Sequence, residues 1–363
     1  MVKEQKITGL SPDFIIHPGE TLQEIMEENN MTQKELAIRT GMTEKHISTV
    51  VNGLKPISVA FAKKLEYVFE IEDSFWINLQ SNYDRELQDF NEANQISPEE
   101  LSVLKRMKHI IEYYNRLGFM HKEENAPAQV LEMRRLMNIS NLINIPKLEY
   151  KASYRAQTQK KIDPYILYAW QRTCELLTRN NHVSNIIDID KLKSKLPEIK
   201  KVMFCRADQI QNKLEKIFAE CGIIFKIVRH FQGAPVQGFI KMTNSNQVIL
   251  CMTIRQSFAD IFWFTLFHEV GHILNGDYKN TFVDFDSVKT VSEKRADEFA
   301  GNYMIPQEAY EKFIKESITL DTIKIFAQKC EIPSFIVIGR LMKDGIIQWN
   351  KYSSERIRYK WVD

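Results

Sequence analysis

Two short stretches of this 363-residue chain hold side chains whose types and spacing could do chemistry. The first is His268-Glu269-Val-Gly-His272, inside the apolar run Phe262–Leu274. On a helix, residues four apart share a face, so His268 and His272 can grip one metal ion. Glu269 lies beside that face, within reach of a metal-bound water. Two imidazole ligands plus a general base is the zinc peptidase arrangement. The second stretch is Glu293-Lys-Arg-Ala-Asp297-Glu298. Glu293 and Asp297 share a face by the same spacing. Glu293 can complete a set of two histidines and one carboxylate, leaving the fourth position to water. Asp297 can accept a hydrogen bond from the outer nitrogen of a ligand histidine and fix its tautomer. Glu298 is the rival third ligand, but it points about 100° away from Asp297 on a helix, so the facing argument favours Glu293. Two core histidines beside a solvated glutamate is the plainer alternative, and the second stretch argues against it.

These residues need two helices to hold them. Ser257 with Asp260 reads as the start of the first, and Asn275-Gly276 as its stop. Ser292 reads as the cap of the second, which Pro306 ends. The run Phe264-Thr-Leu-Phe-His-Glu-Val-Gly-His-Ile-Leu274, then Glu293-x-x-Ala-Asp-x-Phe-Ala300, then Met304-Ile-Pro306, resembles the ImmA/IrrE metallopeptidase family over roughly 205–345. The resemblance implies a Zn²⁺ peptidase of gluzincin-like fold, whose known members cleave transcriptional repressors. In that chemistry the ion acidifies its water and polarises the scissile carbonyl. Glu269 takes the water proton and passes it to the leaving amine, while His268, His272 and Glu293 hold the ion. An oxyanion donor is also required; Tyr303, His230 and Arg255 are candidates.

The N-terminal region has a different pattern. His17-Pro-Gly-Glu20 opens a helix. Thr32 caps a second, Gln33 to Arg39, stopped at Gly41. Thr43 caps a third, Glu44 to Val51, stopped by Asn52-Gly53, and a fourth begins at Ser58. Ala37, Gly41 and Ile47 have helix-turn-helix spacing: a small residue where two helices touch, a glycine in the turn and an aliphatic anchor. With Asp73-Ser-Phe-Trp-Ile-Asn-Leu-Gln-Ser-Asn-Tyr83, this resembles the Xre/lambda-repressor-type DNA-binding domain and, within it, HigA-type antitoxins, over about 14–92. The resemblance places Thr43, Glu44, Lys45, His46, Ser48 and Thr49 on the exposed face of the recognition helix. It places Gln33, Asn52 and Lys55 where phosphate contacts are expected.

Charge separates this reading from a small helical interaction module. Residues 1–95 hold nine Lys and Arg against sixteen Asp and Glu, which favours the interaction module. Residues 32–64 hold six bases and two acids, which favours DNA.

The composition, 44% apolar and 26% charged, is that of an ordinary globular protein. No apolar run reaches membrane-helix length, and the N-terminus lacks a signal-peptide core. Five scattered cysteines without a CxxC imply reduced thiols in a cytoplasm. Helical patterns continue over 98–117, 127–137 and 150–179, with a joint at 138–146. Tyr154-Arg-Ala and Leu167-x-x-Ala-Trp170 resemble the intermediate region of Xre–ImmA fusions. Lys191–Lys201 reads as a solvated surface. Ile223–Val228, Gly238–Lys241 and Val248–Thr253 read as strands; Val248–Thr253 is the candidate edge for binding a peptide by strand addition, with a core strand as the plainer reading.

The expected fold is mainly α with a small α+β domain. Residues 1–95 form a lambda-repressor-like helix-turn-helix bundle, 96–204 a helical intermediate region, and 205–363 the metallopeptidase domain with a small sheet and a helical tail. The expected function is a DNA-binding regulator with a zinc endopeptidase, acting on double-stranded operator DNA as a homodimer and on a protein substrate or partner regulator, with no membrane. The competing reading is an antitoxin-like repressor whose ImmA-like half senses or binds a partner without proteolysis.

Overall fold

The structure, a computed structural model, describes residues 15–121, 125–148, 162–181, 183–279, 282–285 and 291–361. The chain divides into two compact units, 1–143 and 144–363, at the joint expected over 138–146. Most of the fold is helical, as the sequence implies. No helix among the described residues is long and apolar enough to cross a membrane. Residues 149–161, with Tyr154-Arg-Ala, lie outside the described residues, as do 280–281 and 286–290 between the two site helices.

The first unit is built from α1 (Pro18–Glu28), α2 (Gln33–Thr40), α3 (Glu44–Val51), α4 (Val59–Phe69), α5 (Asp73–Asn94), α6 (Pro98–Arg106), α7 (Lys108–Arg116) and α8 (Ala126–Met137). The caps are those the sequence sets: the hydroxyls of Thr32, Thr43 and Ser58 each accept from the backbone N–H three residues on. Such caps satisfy N–H groups that no helix carbonyl can reach. Gly41, at φ 62°, ends α2 in the left-handed conformation and turns the chain into α3. Leu22, Leu36, Ile47, Phe61, Leu65 and Trp76 are buried together beneath these helices. The pattern expected as one helix over 98–117 breaks at Met107, which is fully buried.

The His17-Pro-Gly-Glu20 opening has a steric reason. His17 Nδ1 accepts from Gly19 N at 2.9 Å and caps α1. A Cβ on Gly19 would stand 2.1 Å from the Val50 carbonyl oxygen, so only glycine lets α1 approach the end of α3 this closely. Gly19→Ala meets backbone, which cannot swing away, and is expected to destabilise this unit by about 1–3 kcal/mol or more. Chemical denaturation of the variant, compared with an exposed helical control such as Ser81→Ala, checks this.

The second unit contains α9 (Pro164–Thr178), α10 (Ile189–Lys201), α11 (Ala207–Glu220), β1 (Ile223–Ile227), β2 (Val236–Met242), β3 (Val248–Met252), α12 (Ala259–Leu274), β4 (Phe282–Phe285), α13 (Val291–Met304), α14 (Gln307–Phe313), α15 (Leu320–Lys329) and α16 (Ser334–Lys343). The sheet order is β1-β3-β2-β4, with β1 and β3 parallel and the other pairs antiparallel. This corrects the strand-addition candidate: Val248–Met252 is interior, paired on both sides, and has no edge to offer. The sheet is covered on both faces, so β3 is buried along its length. On β2, Phe239 meets Trp170 of α9 edge-on, while Ile240 enters the core shared with α12. That core also takes in Leu192, Leu196 and Ile199 of α10, so it starts upstream of residue 205. Lys193 and Lys201 of α10 are exposed and Lys195 pairs with Glu198 and Glu220, whereas Lys200 turns inward over the Tyr303 ring.

α12 is buried all round, as its unbroken apolar run requires. Its start differs from the expected cap. Ser257 sits at φ 56° and caps nothing. Asp260 instead accepts from the Arg356 guanidinium, at 2.7 and 3.0 Å, in a buried pair. Two backbone bonds, Ala259 N to Ile357 O and Tyr359 N to Ser257 O, fasten the C-terminal segment over the start of this helix.

Candidate functional site

Small residues set the crossing of α12 and α13. A Cβ on Gly271 would lie 3.1 Å from Phe299 Cδ1 and 3.2 Å from Ala296 Cα. The helices therefore meet almost backbone to backbone, one turn from Glu293. That closeness brings the Glu293 carboxylate to both imidazoles: 3.1 Å to His268 Nε2 and 3.5 Å to His272 Nε2. The two Nε2 atoms are 3.0 Å apart. One donor atom from each of His268, His272 and Glu293 falls within 4.8 Å of the others. Glu298, the rival, is exposed and pairs with Lys294.

The outer nitrogens are also held. His268 Nδ1 lies 2.9 Å from Asp297 Oδ1, and His272 Nδ1 lies 2.7 Å from Asp277 Oδ2. Ionised carboxylates only accept, so the hydrogen of each pair sits on Nδ1 and each Nε2 turns a lone pair inward. Two imidazole lone pairs and a carboxylate converging at this distance are a donor set for a divalent cation of borderline softness. Burial pushes the Glu293 carboxyl up, but where the two rings are protonated the hydrogen bonds and charges of His268 and His272 outweigh it and hold it at about 2; with the rings neutral and their lone pairs inward, a bound cation would take over that role. It is therefore ionised at neutral pH, as a ligand must be.

Sequence reasoning missed Asp277. It lies five residues beyond His272, past the helix end, where helical periodicity gives no signal. Ser292 was expected to cap α13, yet it lies inside that helix, and its hydroxyl donates to Asp277 Oδ2.

Glu269 is fully buried. Its carboxylate lies against the bare backbone of β2: a Cβ on Gly238 would stand 2.0 Å from Oε1. The ladder between β2 and β4 is irregular between Val236 and Gly238, a local distortion of the kind that re-aims a strand beside a site. His230 and Arg255 follow β1 and β3 at the same end of the sheet as Gly238, by the register of Ile227 and Gly238 with Met252. Burial, then Arg255 and Arg229, lower the His230 pKa. Tyr303, the third oxyanion candidate, is taken up in an aromatic stack with Phe267 and Phe299.

On α3, Glu44 and Lys45 are exposed, as are Thr43 before the helix and Asn52 and Lys55 after it. Gln33, Ser48 and Thr49 are half-buried. Several of these groups already serve the helix. Thr43 Oγ1 caps it, Thr49 Oγ1 donates to the His46 carbonyl at 2.8 Å, and Asn52 Nδ2 donates to the Ser48 carbonyl at 2.8 Å. His46 departs from the expected exposed face. Four residues before the buried Val50, it turns inward, its ring edge-on to Phe61 at 5.2 Å and its Nε2 buried. Burial first, then Lys55 and Lys64, lower its pKa.

Residues 22–76 match the helix-turn-helix family, and residues 260–342 match the family described as IrrE N-terminal-like domain, Peptidase_M78. The chain thus carries an Xre-type helix-turn-helix domain at its N-terminus and an IrrE/ImmA-like domain at its C-terminus. Similar solved structures include the Pseudomonas aeruginosa antitoxin HigA with the higBA promoter, at 28% identity over 23% of this chain and 96% of that one, TM-score 0.21. A HigA-family addiction module antidote protein from Coxiella burnetii is 27% identical over 23% and 96%, TM-score 0.20. PA4674 from Pseudomonas aeruginosa, in complex with its 18-bp operator DNA, is 30% identical over 23% and 91%, TM-score 0.22. No curated protein matches the chain.

Proposed function

From a chain that joins an Xre-type helix-turn-helix domain to an IrrE N-terminal-like domain, we propose a cytoplasmic transcriptional regulator that is also a zinc-dependent endopeptidase. It binds operator DNA as a homodimer, placing α3 in the major groove. Its substrate is a regulatory protein, a repressor or a toxin–antitoxin partner. The observation that carries the enzymatic reading is the convergence of His268, His272 and Glu293 on one point, with Glu269 buried on the same helix as the two histidines.

His268, His272 and Glu293 would hold the ion, and Asp297 orients His268. The bound ion would supply a Lewis acid and an acidified water. Glu269 accepts the proton of the attacking water and delivers it to the leaving amine nitrogen. Its burial keeps it from bulk water, so that proton has few other destinations.

The purified protein is expected to hold about one zinc per chain. His268→Ala and Glu293→Ala should lower the occupancy and Glu298→Ala should not. Elemental analysis finding full zinc in both of the first two variants removes this ligand set. The test of function is incubation of the protein with the products of neighbouring genes, with cleavage read by intact-mass spectrometry.

For the DNA-binding domain, replacing Lys45 and Thr49 with alanine should weaken specific binding by roughly 1–3 kcal/mol for each base edge no longer read. Lys55→Ala should weaken binding to every sequence and flatten the salt dependence. Gel shifts at two salt concentrations on the protein's own promoter check both, and a wild-type protein that shifts nothing at low salt ends the DNA reading.

A further inference from the structure

We infer that Asp277 and Ser292 form a hydrogen-bonded relay that positions His272 for the metal, a role parallel to that of Asp297 on His268. The inference rests on the proposed metal centre and adds two residues to it.

The geometry is specific. His272 is fully buried, and its Nδ1 has Asp277 Oδ2 at 2.7 Å. The Ser292 hydroxyl donates to that same oxygen and lies 3.4 Å from Nδ1. Asp277 sits just past α12, where Gly276 at φ 84° reverses the chain. A carboxylate there faces the negative end of the helix dipole, which disfavours it. Its hydrogen bonds to His272 and Ser292 offset that cost and explain why an acid stands there. Ser292 directly precedes Glu293, so one turn of α13 serves the centre twice. Glu293 faces the inner nitrogens, and Ser292 steadies the carboxylate that holds an outer one. The consequence is tautomeric. With the hydrogen fixed on Nδ1, the Nε2 lone pair is available without rearrangement, and the ring cannot rotate away from Glu293. Asp277 and Ser292 touch no reacting atom in this scheme, so they are positioning residues.

The test uses the full chain and reads the metal itself. Zinc affinity is measured by competition with a chromophoric chelator, and the cobalt(II)-loaded protein gives a d–d spectrum that reports ligand geometry. Asp277→Ala is expected to weaken zinc binding about 10- to 100-fold and to alter the cobalt bands. Asp277→Asn should recover most of the affinity, because its amide oxygen still accepts from Nδ1–H. Ser292→Ala should show a smaller loss in the same direction. Wild-type affinity and spectrum in Asp277→Ala, alongside zinc loss in His272→Ala, overturn the relay and leave the metal centre standing. Wild-type affinity in His272→Ala overturns the metal centre and the relay with it. Should Asp277→Ala fail to fold by circular dichroism, Ser292→Ala decides, and undiminished zinc affinity there overturns the relay.

Discussion

Glu269→Gln is expected to fold, to take up zinc and to bind DNA as the parent chain does, while losing proteolysis by about 10²-fold or more, the order set by removing a general base. The substitution keeps the size of the side chain and much of its hydrogen bonding. What it removes is the capacity to take a proton from water. Glu269 is not among the three residues whose donor atoms converge, so the donor set is untouched. It lies on α12, in the second unit, whereas the residues proposed to face DNA lie on α3 and its flanks in the first. The expected result is therefore a separation of functions: metal content and gel shift unchanged, cleavage of the protein substrate lost. In cells, induction of the controlled operon should be lost as well. If regulation survives Glu269→Gln, catalysis is not how the protein acts, and the repressor reading, with a sensing or partner-binding C-terminal half, replaces it.

The parts of this molecule that were legible in the sequence are those governed by local rules. Thr32, Thr43 and Ser58 precede helices and cap them, and Gly41 ends α2 as a left-handed residue. Spacing of four put His268 with His272 and Glu293 with Asp297 on shared faces, and the facing argument separated Glu293 from Glu298. Local rules failed where a side chain had a distant use. Ser257, Asp260 and Ser292 carry the signature of helix starts, yet Asp260 is engaged by Arg356, 96 residues away, and Ser292 by Asp277. No pattern within α12 could reveal either partner. His46 was misplaced because a short helix has no sharp border between its inner and outer faces; the ring is large enough to reach Phe61 from the flank. The strand-addition candidate at Val248–Thr253 fell for a related reason, and the core-strand reading stands. Each strand announces itself by β-branched and aromatic residues, but order depends on which strands pair, and β3 lies between β1 and β2 in space without lying between them in sequence.

Gly238 gives the second large effect. The Cβ of Gly238→Ala would fall 2.0 Å from Glu269 Oε1 and 2.4 Å from its Cδ, far inside contact distance. Unlike the clash at Gly19, the atom struck is the far end of a flexible side chain, so the chain can relieve it by swinging Glu269 aside. The fold should survive at a cost of about 1–3 kcal/mol, the usual range for overpacking, while proteolysis falls about as far as in Glu269→Gln because the base has left its place. Zinc content should hold, since His268, His272 and Glu293 do not depend on Gly238. A double-mutant cycle isolates the cause. In a Glu269→Ala background the obstructing carboxyl is gone, and adding Gly238→Ala should cost little further stability and no further activity. Equal stability costs in both backgrounds would mean that the methyl group strains β2 itself, and the pocket for Glu269 would then have to be sought elsewhere than at Gly238.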